Sequence, residues 1–363
     1  MTDRSRIFRA WLAVHRWTSL ASTLVLLVLC VTGLPLIFRM EIDGLFGFEP
    51  VAATASGQPL ATEAVVAAAE AAAPGRVVQF VVWEADKPGI VTLSMAASPT
   101  AEPSGNTTLY ADAASGEIIP PRGPMEFLRT LHGQLFLGPL GPLALGAVTC
   151  LFLVSIISGA VVYAPFMRGL AFGAVRVTRT RRTVWLDLHN LVGIAAASWM
   201  VVVCLTGMIN TWGNYIIELW RFDQLGTIAA QHEQAPLPGE RNSLDAAIAT
   251  ARSASPDLAP YFVALPGSML ATHRHYGVFL RGNTALTSRL VTPVFVDAVT
   301  GDVAARLDLP FYVKAALLAE PLHFGDYGGL PLKLLWAMFD LVMIFVLASG
   351  LYLWLAKRRR APG

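Results

Sequence analysis

Charged residues are scarce in this sequence, and the shortage limits the kinds of protein it can be. Lys, Arg, Asp and Glu together account for 14% of the 363 residues, whereas hydrophobic residues account for 55%. A soluble chain of this length would lack the polar side chains needed to cover its surface. We therefore exclude a soluble globular protein and expect an integral membrane protein.

Cysteine is also rare, and several motifs of soluble enzymes are missing. The three cysteines, Cys30, Cys150 and Cys204, all lie in apolar segments, so none is placed to form an external disulfide. No Gly-x-Gly-x-x-Gly motif opens a helix after a strand, which argues against a built-in nicotinamide or flavin domain. The net charge of +2 gives no basis for nucleic-acid binding.

The hydrophobic residues are concentrated in four runs without Lys or Arg. These runs span residues 17–38, 143–166, 191–212 and 334–355. Each run is long enough to cross the hydrocarbon core of a bilayer as a helix. The first run is too long, and too clearly repeated by the third, to be a cleaved signal peptide. Four transmembrane helices are therefore predicted.

Basic residues beside these runs predict the orientation in the membrane. They precede the first run, separate the second from the third and follow the fourth: Arg4, Arg6, Arg9, Arg16, Arg168, Arg176, Arg179, Arg181, Arg182 and the segment 357–360. Positively charged loops stay in the cytoplasm. We therefore expect both termini and the 167–188 loop in the cytoplasm, and two long segments, about 39–140 and 213–332, outside.

The first and third runs are copies of each other. The stretch from His15 to Gly33 recurs 174 residues later as His189 to Gly207, with a Cys-x-Thr-Gly motif near the end of each copy. We expect the histidine to open the helix in both copies. Because internal repetition fixes the architecture before any local assignment, two pseudo-symmetric halves are predicted.

A second histidine recurs before the second and fourth runs. Leu131-His132 and Leu322-His323 are each followed by a Gly- and Pro-containing segment and by a run with a Ser-Gly motif near its end. The histidine precedes the glycine of this motif by 27 residues in both halves. Each half is therefore predicted to contain a helix, an external module, a histidine segment and a second helix.

Each external segment predicts a small α+β module. The first has a helix at 60–73 and strands at 77–83, 90–95 and 107–110, and the second has a helix from Ser243 and strands at 261–265, 278–280 and 292–296. Both close in an Asp-x-x-x-Gly turn, at Asp112 and Asp297, which indicates a fold and not a function.

The sequence as a whole divides into eight predicted parts. They are the lead and first helix (1–38), module 1 (39–126), the first histidine segment and second helix (127–166), a cytoplasmic loop (167–188), the third helix (189–213), module 2 (214–312), the second histidine segment and fourth helix (313–356) and a tail (357–363).

Four of the seven histidines occupy equivalent places in the two halves. His15 corresponds to His189 at the cytoplasmic rim, and His132 corresponds to His323 at the outer rim. A pseudo-twofold axis would bring each pair face to face, as two neutral imidazoles on one haem iron require. An interfacial polar role is the alternative for a single histidine, but it does not require matched depth in both halves. We therefore predict axial ligation of haem iron.

Small residues beside two of these histidines leave space for a flat ring. They are Thr18, Ser19 and Ser22 near His15, and Gly193, Ala196 and Ala197 near His189. Close packing of transmembrane helices is the alternative, and we favour it for the small residues taken alone. Arg16 and Arg182 are candidates for contact with haem propionates, although the positive-inside rule accounts for most of the basic residues.

Zinc is the competing metal, but it needs a compact set of four ligands. No His-x-x-x-His or Glu-x-x-His spacing occurs in a predicted span. In a strand, His273 and His275 would place both rings on one face, as a contact for an external substrate or metal. A solvated strand edge is the simpler interpretation of this pair, and His232 is interpreted as a loop residue.

Asp340 is an acidic residue inside the fourth run, and its counterpart in the first half is Thr149. Carboxyl groups within a bilayer are costly and indicate a function such as proton transfer or substrate contact. A protonated carboxyl group bonded to a neighbouring hydroxyl or indole is the alternative.

These motifs together resemble the PepSY-associated transmembrane family over nearly the whole chain. The shared features are the histidine helices ending in Thr-Gly, the Asp187-Leu-His189 sequence, the Leu-His pairs followed by Ser-Gly helices, and the two modules closing in Asp-x-x-x-Gly-(Glu/Asp). The resemblance implies a four-helix bundle with a periplasmic PepSY-like module in each half. Some members, the siderophore-iron reductases of the FoxB type, carry haem b in the bacterial inner membrane and reduce ferric siderophores.

If this chain is similar, two haems b are held by His15, His189, His132 and His323, and electrons pass outward to a periplasmic ferric siderophore, which releases Fe(II). The electron donor would be a membrane quinol or a separate reductase. The alternative function is a membrane-anchored PepSY module that binds a peptide or protein without redox activity. A permease is a third hypothesis, and the lack of charge in the spans argues against it.

Overall fold

The chain folds into two compact units, which we call the helical unit and the sheet unit. The computed structural model describes residues 3–53, 58–84, 87–165, 169–230, 236–284 and 286–358. The helical unit comprises residues 1–42, 124–214 and 319–363, and the sheet unit comprises 43–123 and 215–318. His232 and Arg168 lie outside the described residues.

The described residues form eleven α-helices. Their bounds are α1 Asp3–Ile37, α2 Arg39–Phe46, α3 Thr62–Ala72, α4 Met125–Gln134, α5 Leu140–Tyr163, α6 Arg181–Thr211, α7 Gly213–Trp220, α8 Gly226–Ala229, α9 Leu244–Ser253, α10 Phe311–Phe324 and α11 Gly329–Arg358. Within the described ranges, four of them (α1, α5, α6 and α11) are long and apolar enough to cross a membrane. This confirms the four predicted apolar helices.

The expectation that a histidine opens each repeated helix is wrong. Helix α1 already begins at Asp3 and α6 at Arg181, so His15 and His189 both lie well inside a helix. The apolar run ends at the basic residues, but helical structure does not, because Arg is a good helix former. Thr180 caps α6 by accepting a hydrogen bond from the N–H of Thr183. The predicted 167–188 loop is correspondingly shorter.

The four long helices form a closed bundle. Helix α1 packs against α5 and α11, and α6 packs against the same two helices. The buried core between them consists of Leu26, Cys30, Phe152, Ala196, Trp199, Met200, Cys204, Met343 and Leu347. Two shorter helices in this unit carry histidines: α4 bears His132, and the end of α10 bears His323.

The sheet unit is built on one antiparallel sheet that joins both predicted modules. Among the described residues its eight strands are β1 Val77–Val82, β2 Ile90–Ala96, β3 Thr107–Asp112, β4 Ile118–Ile119, β5 Ala259–Ala264, β6 His275–Arg281, β7 Val291–Asp297 and β8 Val303–Arg306. Their order is β4-β3-β2-β1-β5-β6-β7-β8. The modules meet where β1 pairs with β5, with Val81 opposite Val263. The predicted strands are found, but they form a continuous sheet.

Helices α3 and α9 share one core on one face of this sheet, and each is capped by a carboxylate of the other. Asp245 accepts hydrogen bonds from the N–H of Thr62, at 2.9 Å, and from its hydroxyl. Glu63 accepts a hydrogen bond from the N–H of Leu244. Negative charge at a helix N-terminus satisfies free N–H groups and the helix dipole. The two modules are therefore joined through their helices as well as through β1 and β5.

The interpretation of His273 and His275 as a solvated strand edge is wrong. Strand β6 lies between β5 and β7, and His275 at its start is only 4% exposed. The ring Nδ1 of His275 lies 2.7 Å from the hydroxyl of Thr272. His273 precedes the strand and does not share its alternation. Alternation along a strand predicts the face of the sheet on which each side chain lies, but it does not show whether the strand is at the edge or in the interior of the sheet.

Candidate functional site

The helical unit brings His15 and His189 together. His15 comes from α1 and His189 from α6, and their ring centroids are 6.4 Å apart with an angle of 59° between the ring planes. Both side chains are half-buried. The two histidines that occupy equivalent positions in the repeat are therefore also close together in space.

His132 and His323 form a second pair near the other ends of the long helices. His132 lies on α4 and His323 near the end of α10. Their ring centroids are 6.3 Å apart and their planes are inclined by 62°. The two pairs therefore have nearly the same internal geometry, although they are carried by different elements.

The first pair is held by the Ser-containing parts of α5 and α11. His15 Nδ1 donates a hydrogen bond to the carbonyl oxygen of Ser155 at 2.9 Å. His189 Nδ1 lies 2.9 Å from the hydroxyl of Ser349, and the backbone of Val346 provides a further acceptor. Residues 155 and 346 are repeat counterparts, so the two rings are anchored at equivalent positions.

The second pair is held by the Thr-Gly motifs of α1 and α6. The Thr32 hydroxyl lies 3.0 Å from His132 Nδ1, and the Thr206 hydroxyl lies 3.3 Å from His323 Nδ1. Both hydroxyls donate to a carbonyl of their own helix, so their oxygens accept from the ring. His323 Nδ1 also donates to the Val203 carbonyl at 3.0 Å.

These hydrogen bonds select the tautomer of the rings. Because a carbonyl oxygen can only accept, the proton is on Nδ1 of His15 and His323. Nε2 is then the nitrogen with a free lone pair, as in metal-binding histidines that donate their other N–H to a backbone carbonyl. This arrangement both orients the imidazole and increases its basicity towards a metal.

A glycine backs each of the four rings. A Cβ built at Gly33, Gly159, Gly207 or Gly350 would lie 3.0 Å from His132, 3.0 Å from His15, 2.7 Å from His323 or 3.3 Å from His189, respectively. Any side chain at the tightest of these positions would push the ring away. The sequence contained this signal in its recurring Thr-Gly and Ser-Gly motifs, but their contact with the histidines was not predicted.

Burial keeps the second pair neutral. It lowers the pKa of His132 below the ordinary histidine value, against the opposing effect of the Leu29 carbonyl. Burial and then the neighbouring His132 lower the pKa of His323 to about 4. Neutral imidazole is the form that binds metals.

The spacing of the rings fits one metal ion between each pair. Two metal–nitrogen bonds of about 2.0 Å, with about 1 Å from each nitrogen to its ring centre, add up to about 6 Å between centroids. In the part of the chain that the structure describes, no group of three His, Cys, Asp or Glu residues is placed to hold a metal. Haem needs only two protein ligands because its porphyrin supplies four nitrogens. The residues at both pairs therefore fit a bis-histidine haem.

The small and basic residues near the first pair have mixed roles. Ser22 and Ala196 are almost fully buried in the bundle, which matches the helix-packing interpretation. The Arg16 guanidinium lies over the Trp17 ring, 5.0 Å from its centroid. Arg182 Nε is buried and has no hydrogen-bond partner among the described residues, so it can donate to a carboxylate near this pair.

Asp187, two residues before His189, fastens the preceding loop. It is 5% exposed and accepts three hydrogen bonds from Arg176: from the backbone N–H at 2.9 Å, from Nε at 3.0 Å and from Nη2 at 2.7 Å. Its counterpart in the first repeat is Ala13. The loop contact therefore belongs to the second repeat alone.

Asp340 lies in the bundle interior with 8% of its surface exposed. Its carboxyl group lies beside the Cys30 thiol, and its Oδ2 has no hydrogen-bond partner among the described residues. The neighbour of the carboxyl group is thus a thiol and not the expected hydroxyl or indole. In the other repeat, the Cys204 thiol donates to the backbone carbonyl of Thr149 at 3.4 Å.

Comparison with known proteins agrees with this architecture. The family model described as the PepSY-associated TM region matches residues 12–357. An uncharacterized protein of Pseudomonas aeruginosa, PA4219, is 24% identical over 280 residues, which are 66% of this chain and 65% of the relative. The match therefore spans slightly less than two thirds of that relative.

Proposed function

Because this chain belongs to the PepSY-associated transmembrane family, we propose that it is a haem b protein of the bacterial inner membrane that reduces ferric siderophores. In this proposal, electrons enter at the His15–His189 pair and leave at the His132–His323 pair. The acceptor is a ferric siderophore in the periplasm, and the product Fe(II) is released for uptake. The observation that carries the proposal is the pair of matched imidazole sites with ring centroids 6.4 and 6.3 Å apart.

The orientation rests on the basic residues. Arg6, Arg9 and Arg16 lie on α1 near His15, and Arg181 and Arg182 begin α6 before His189. By the positive-inside rule, this end of the bundle faces the cytoplasm. The His132–His323 end and the two long segments that form the sheet unit then belong to the periplasm, and the two halves are related by a pseudo-twofold axis.

The protein's own residues position and insulate the redox groups. When bound, haem b supplies a one-electron couple at each pair. The Nδ1 hydrogen bonds hold each imidazole in one tautomer and orientation. The glycines behind the rings allow close approach of the helices. Arg182, whose buried Nε has no hydrogen-bond partner among the described residues, is our candidate to neutralise a propionate. The apolar bundle core keeps water from the space between the pairs.

The chain must exchange electrons with partners at both ends. Since its sequence contains no nucleotide-binding motif of the Rossmann type, the donor is a membrane quinol or a separate reductase. At the periplasmic end, reduction weakens the grip of hard oxygen ligands on iron, because Fe(II) is a softer ion than Fe(III). A chelate that binds Fe(III) tightly can therefore release iron after one electron.

An absorption spectrum with a pyridine haemochrome count tests this proposal. Protein purified in mild detergent from haem-replete cells should contain two six-coordinate haems b per chain. His15→Ala and His132→Ala should each remove one of them, whereas His273→Ala, outside both pairs, should keep both. Dithionite-reduced protein should be reoxidised by a ferric siderophore. A colourless wild-type preparation would refute the proposal.

One observation favours a second function, which is protein binding without redox chemistry. The sheet ends in β8, which pairs with β7 along one side, and Val303 in this strand is exposed. An extended peptide can add to such an edge through backbone hydrogen bonds. This membrane-anchored module predicts colourless protein and capture of a peptide that is lost when proline is introduced into β8.

A further inference from the structure

Asp340 is the single Asp, Glu, Lys or Arg in the central parts of the four spans. Residues 17–37, 140–163, 188–211 and 334–355 contain no other such residue. Its carboxyl group is more than nine-tenths buried, and one of its oxygens has no hydrogen-bond partner among the described residues. A carboxyl group in this environment is stable only if it is neutral or compensated.

Asp340 lies close to the second histidine pair. Its carboxyl group lies beside the Cys30 thiol. Cys30 is three residues, less than one helical turn, before Gly33, which contacts the His132 ring. Asp340 itself contacts none of the four paired histidines in any described hydrogen bond. A charge on Asp340 is therefore near enough to influence an electron at this pair without being a ligand.

A polar stripe leads from Asp340 towards the end of α11. Lys333, Ala337 and Asp340 are spaced four and three residues apart and share one helix face. Lys333 is 7% exposed, and its Nζ donates to both carboxylate oxygens of Glu41, at 2.9 and 3.1 Å. Partial burial raises the pKa of Glu41, but its bond to Lys333 outweighs this and leaves the pKa below the ordinary value.

The stripe runs from the carboxyl group towards a partly exposed ion pair. Glu41 keeps 41% of its side chain exposed, and Lys333 lies about 10 Å along the helix from Asp340. Between them, Ala337 helps to line an apolar groove bounded by α1 and α11. Its short side chain keeps this part of the helix face free of bulk between the Glu41–Lys333 pair and the interior acid.

The other repeat has none of these features. Lys333, Ala337 and Asp340 correspond to Pro142, Gly146 and Thr149. There, the indole of Trp212 covers Gly146 so closely that a Cβ would overlap it. The Thr149 hydroxyl donates to the carbonyl of Leu145 in its own helix, at 2.7 Å. Helix packing alone therefore does not require a polar stripe at this place in the repeat.

We propose that Asp340 is a redox-linked proton acceptor, which binds one proton from the solution at the His132 end when the haem that the His132–His323 pair would hold is reduced, and releases the proton when that haem is oxidised. The proton enters from water at the partly exposed Glu41–Lys333 pair and moves along the face of α11 that carries Lys333, Ala337 and Asp340. In the oxidised state, the single positive charge of the ferric haem that this pair would hold compensates the Asp340 carboxylate. Reduction would remove that charge, and the carboxylate then takes up the proton and becomes a neutral carboxylic acid in a medium of low dielectric constant. This inference rests on the proposed function.

The groups that face Asp340 are few, which makes the assignment testable. Helix α1 contributes the Cys30 thiol, and α6 contributes no charged residue between 188 and 211. The buried Trp199 indole on α6 lacks a hydrogen-bond partner among the described residues, but it does not titrate. On α11 itself, Lys333 is engaged by Glu41.

The test is a redox titration of the haem at the His132–His323 pair as a function of pH. In the wild type its midpoint potential should fall as pH rises, by up to about 59 mV per pH unit for one proton per electron. In Asp340→Asn the potential should be independent of pH. Thr149→Val, at the equivalent position of the other repeat, should behave as the wild type.

Infrared difference spectra provide a readout of the carboxyl group itself. Reduction of the wild type should produce the carbonyl stretch of a protonated carboxylic acid, and Asp340→Asn should lack this band. An equal pH dependence in wild type and Asp340→Asn, or a wild-type potential that does not change with pH, would overturn the inference. Absence of haem from every variant would instead overturn the proposed function, so the two failures are distinguishable.

A separate variant tests the path by which the proton reaches Asp340. Ala337→Leu should fill the space between Lys333 and Asp340, slowing reduction of this haem several-fold while its potential keeps the wild-type pH dependence. Leu335→Met, at an exposed position of α11 that does not line this groove, is the matched control and should leave the rate unchanged. An unaltered rate in Ala337→Leu would rule out this path.

Discussion

The two repeats of this chain share the contacts that hold the histidines and differ in the polar groups of the bundle. In both, Nδ1 is bound by a neighbouring helix and a glycine backs the ring. Asp340, Lys333 and the Arg176–Asp187 contact occur in one repeat alone. The shared contacts are what each imidazole pair needs. The polar groups that occur in one repeat alone distinguish the two halves. We expect each of these groups to have a role that the protein needs at one place only.

The largest effect should come from filling the space behind one ring. Gly207→Ala would place a Cβ 2.7 Å from His323, whereas Gly350→Ala would place one 3.3 Å from His189. The first distance is too short for any real contact, so His323 must turn away. We expect Gly207→Ala to lose one of two haems and Gly350→Ala to retain most of both, as measured by haemochrome content.

The control for this comparison is Gly213→Ala, at the first residue of α7. No other atom of the described residues lies within 4 Å of its added Cβ. Since Ala is favoured over Gly inside a helix by about 1 kcal/mol, this variant should be at least as stable as the wild type and fully pigmented. Equal haem loss in Gly207→Ala and Gly350→Ala would show that the glycines do not set the ring positions.

A core substitution tests whether the two modules behave as one body. Leu93 in β2 and Leu280 in β6 are both fully buried in the same core. Truncating either to alanine should cost about 2–5 kcal/mol of unfolding free energy. Because β1 pairs with β5, Leu93→Ala should speed hydrogen exchange in β5–β7 as well as in β1–β3, measured by mass spectrometry. Faster exchange confined to one module would contradict a single cooperative sheet.

Much of this fold was predictable because apolar length and repetition are strong signals. The predicted strand at 90–95 is β2, Ile90–Ala96, and each of the four apolar runs falls on one of the four long helices, apart from one to three residues at the end of three runs. The joining of β1 to β5 was not predictable, since local alternation gives the face of a strand and not its neighbour. The true start of α6 was missed because basic residues end an apolar run without ending a helix.

The candidate site was predictable to a similar extent. Equivalent positions in the repeat predicted which histidines meet, and the structure places His15 by His189 and His132 by His323. Their role as haem ligands stays a prediction. The partners of the rings required three-dimensional information, because the Thr-Gly motif of α1 serves a histidine on α4, about 100 residues away. No helical period connects such residues.

The smallest expected effect concerns the turns that close the two modules. Asp112 accepts from the N–H groups of Ala114 and Ser115, at 2.8 and 3.1 Å, and Asp297 accepts in the same way from Val299 and Thr300. In the second module, Arg274 Nε also donates to Asp297 at 2.7 Å. Protonation of Asp297 would therefore remove this ion pair as well as the turn hydrogen bonds.

The pH dependence of this ion pair follows from the carboxyl group. Partial burial raises the pKa of Asp297, but Arg274 and the turn N–H groups outweigh this and lower it to about 2. An unfolded Asp has a pKa of about 3.9, so the stabilisation is complete above about pH 4 and is lost as pH falls towards 2. Arg274→Met should lower the midpoint of thermal unfolding by at most about 2–4 °C at pH 7. That difference should shrink towards zero near pH 2 and be absent in an Asp297→Asn background; a constant difference across pH would mean that Arg274 acts through packing and not through the Asp297 charge.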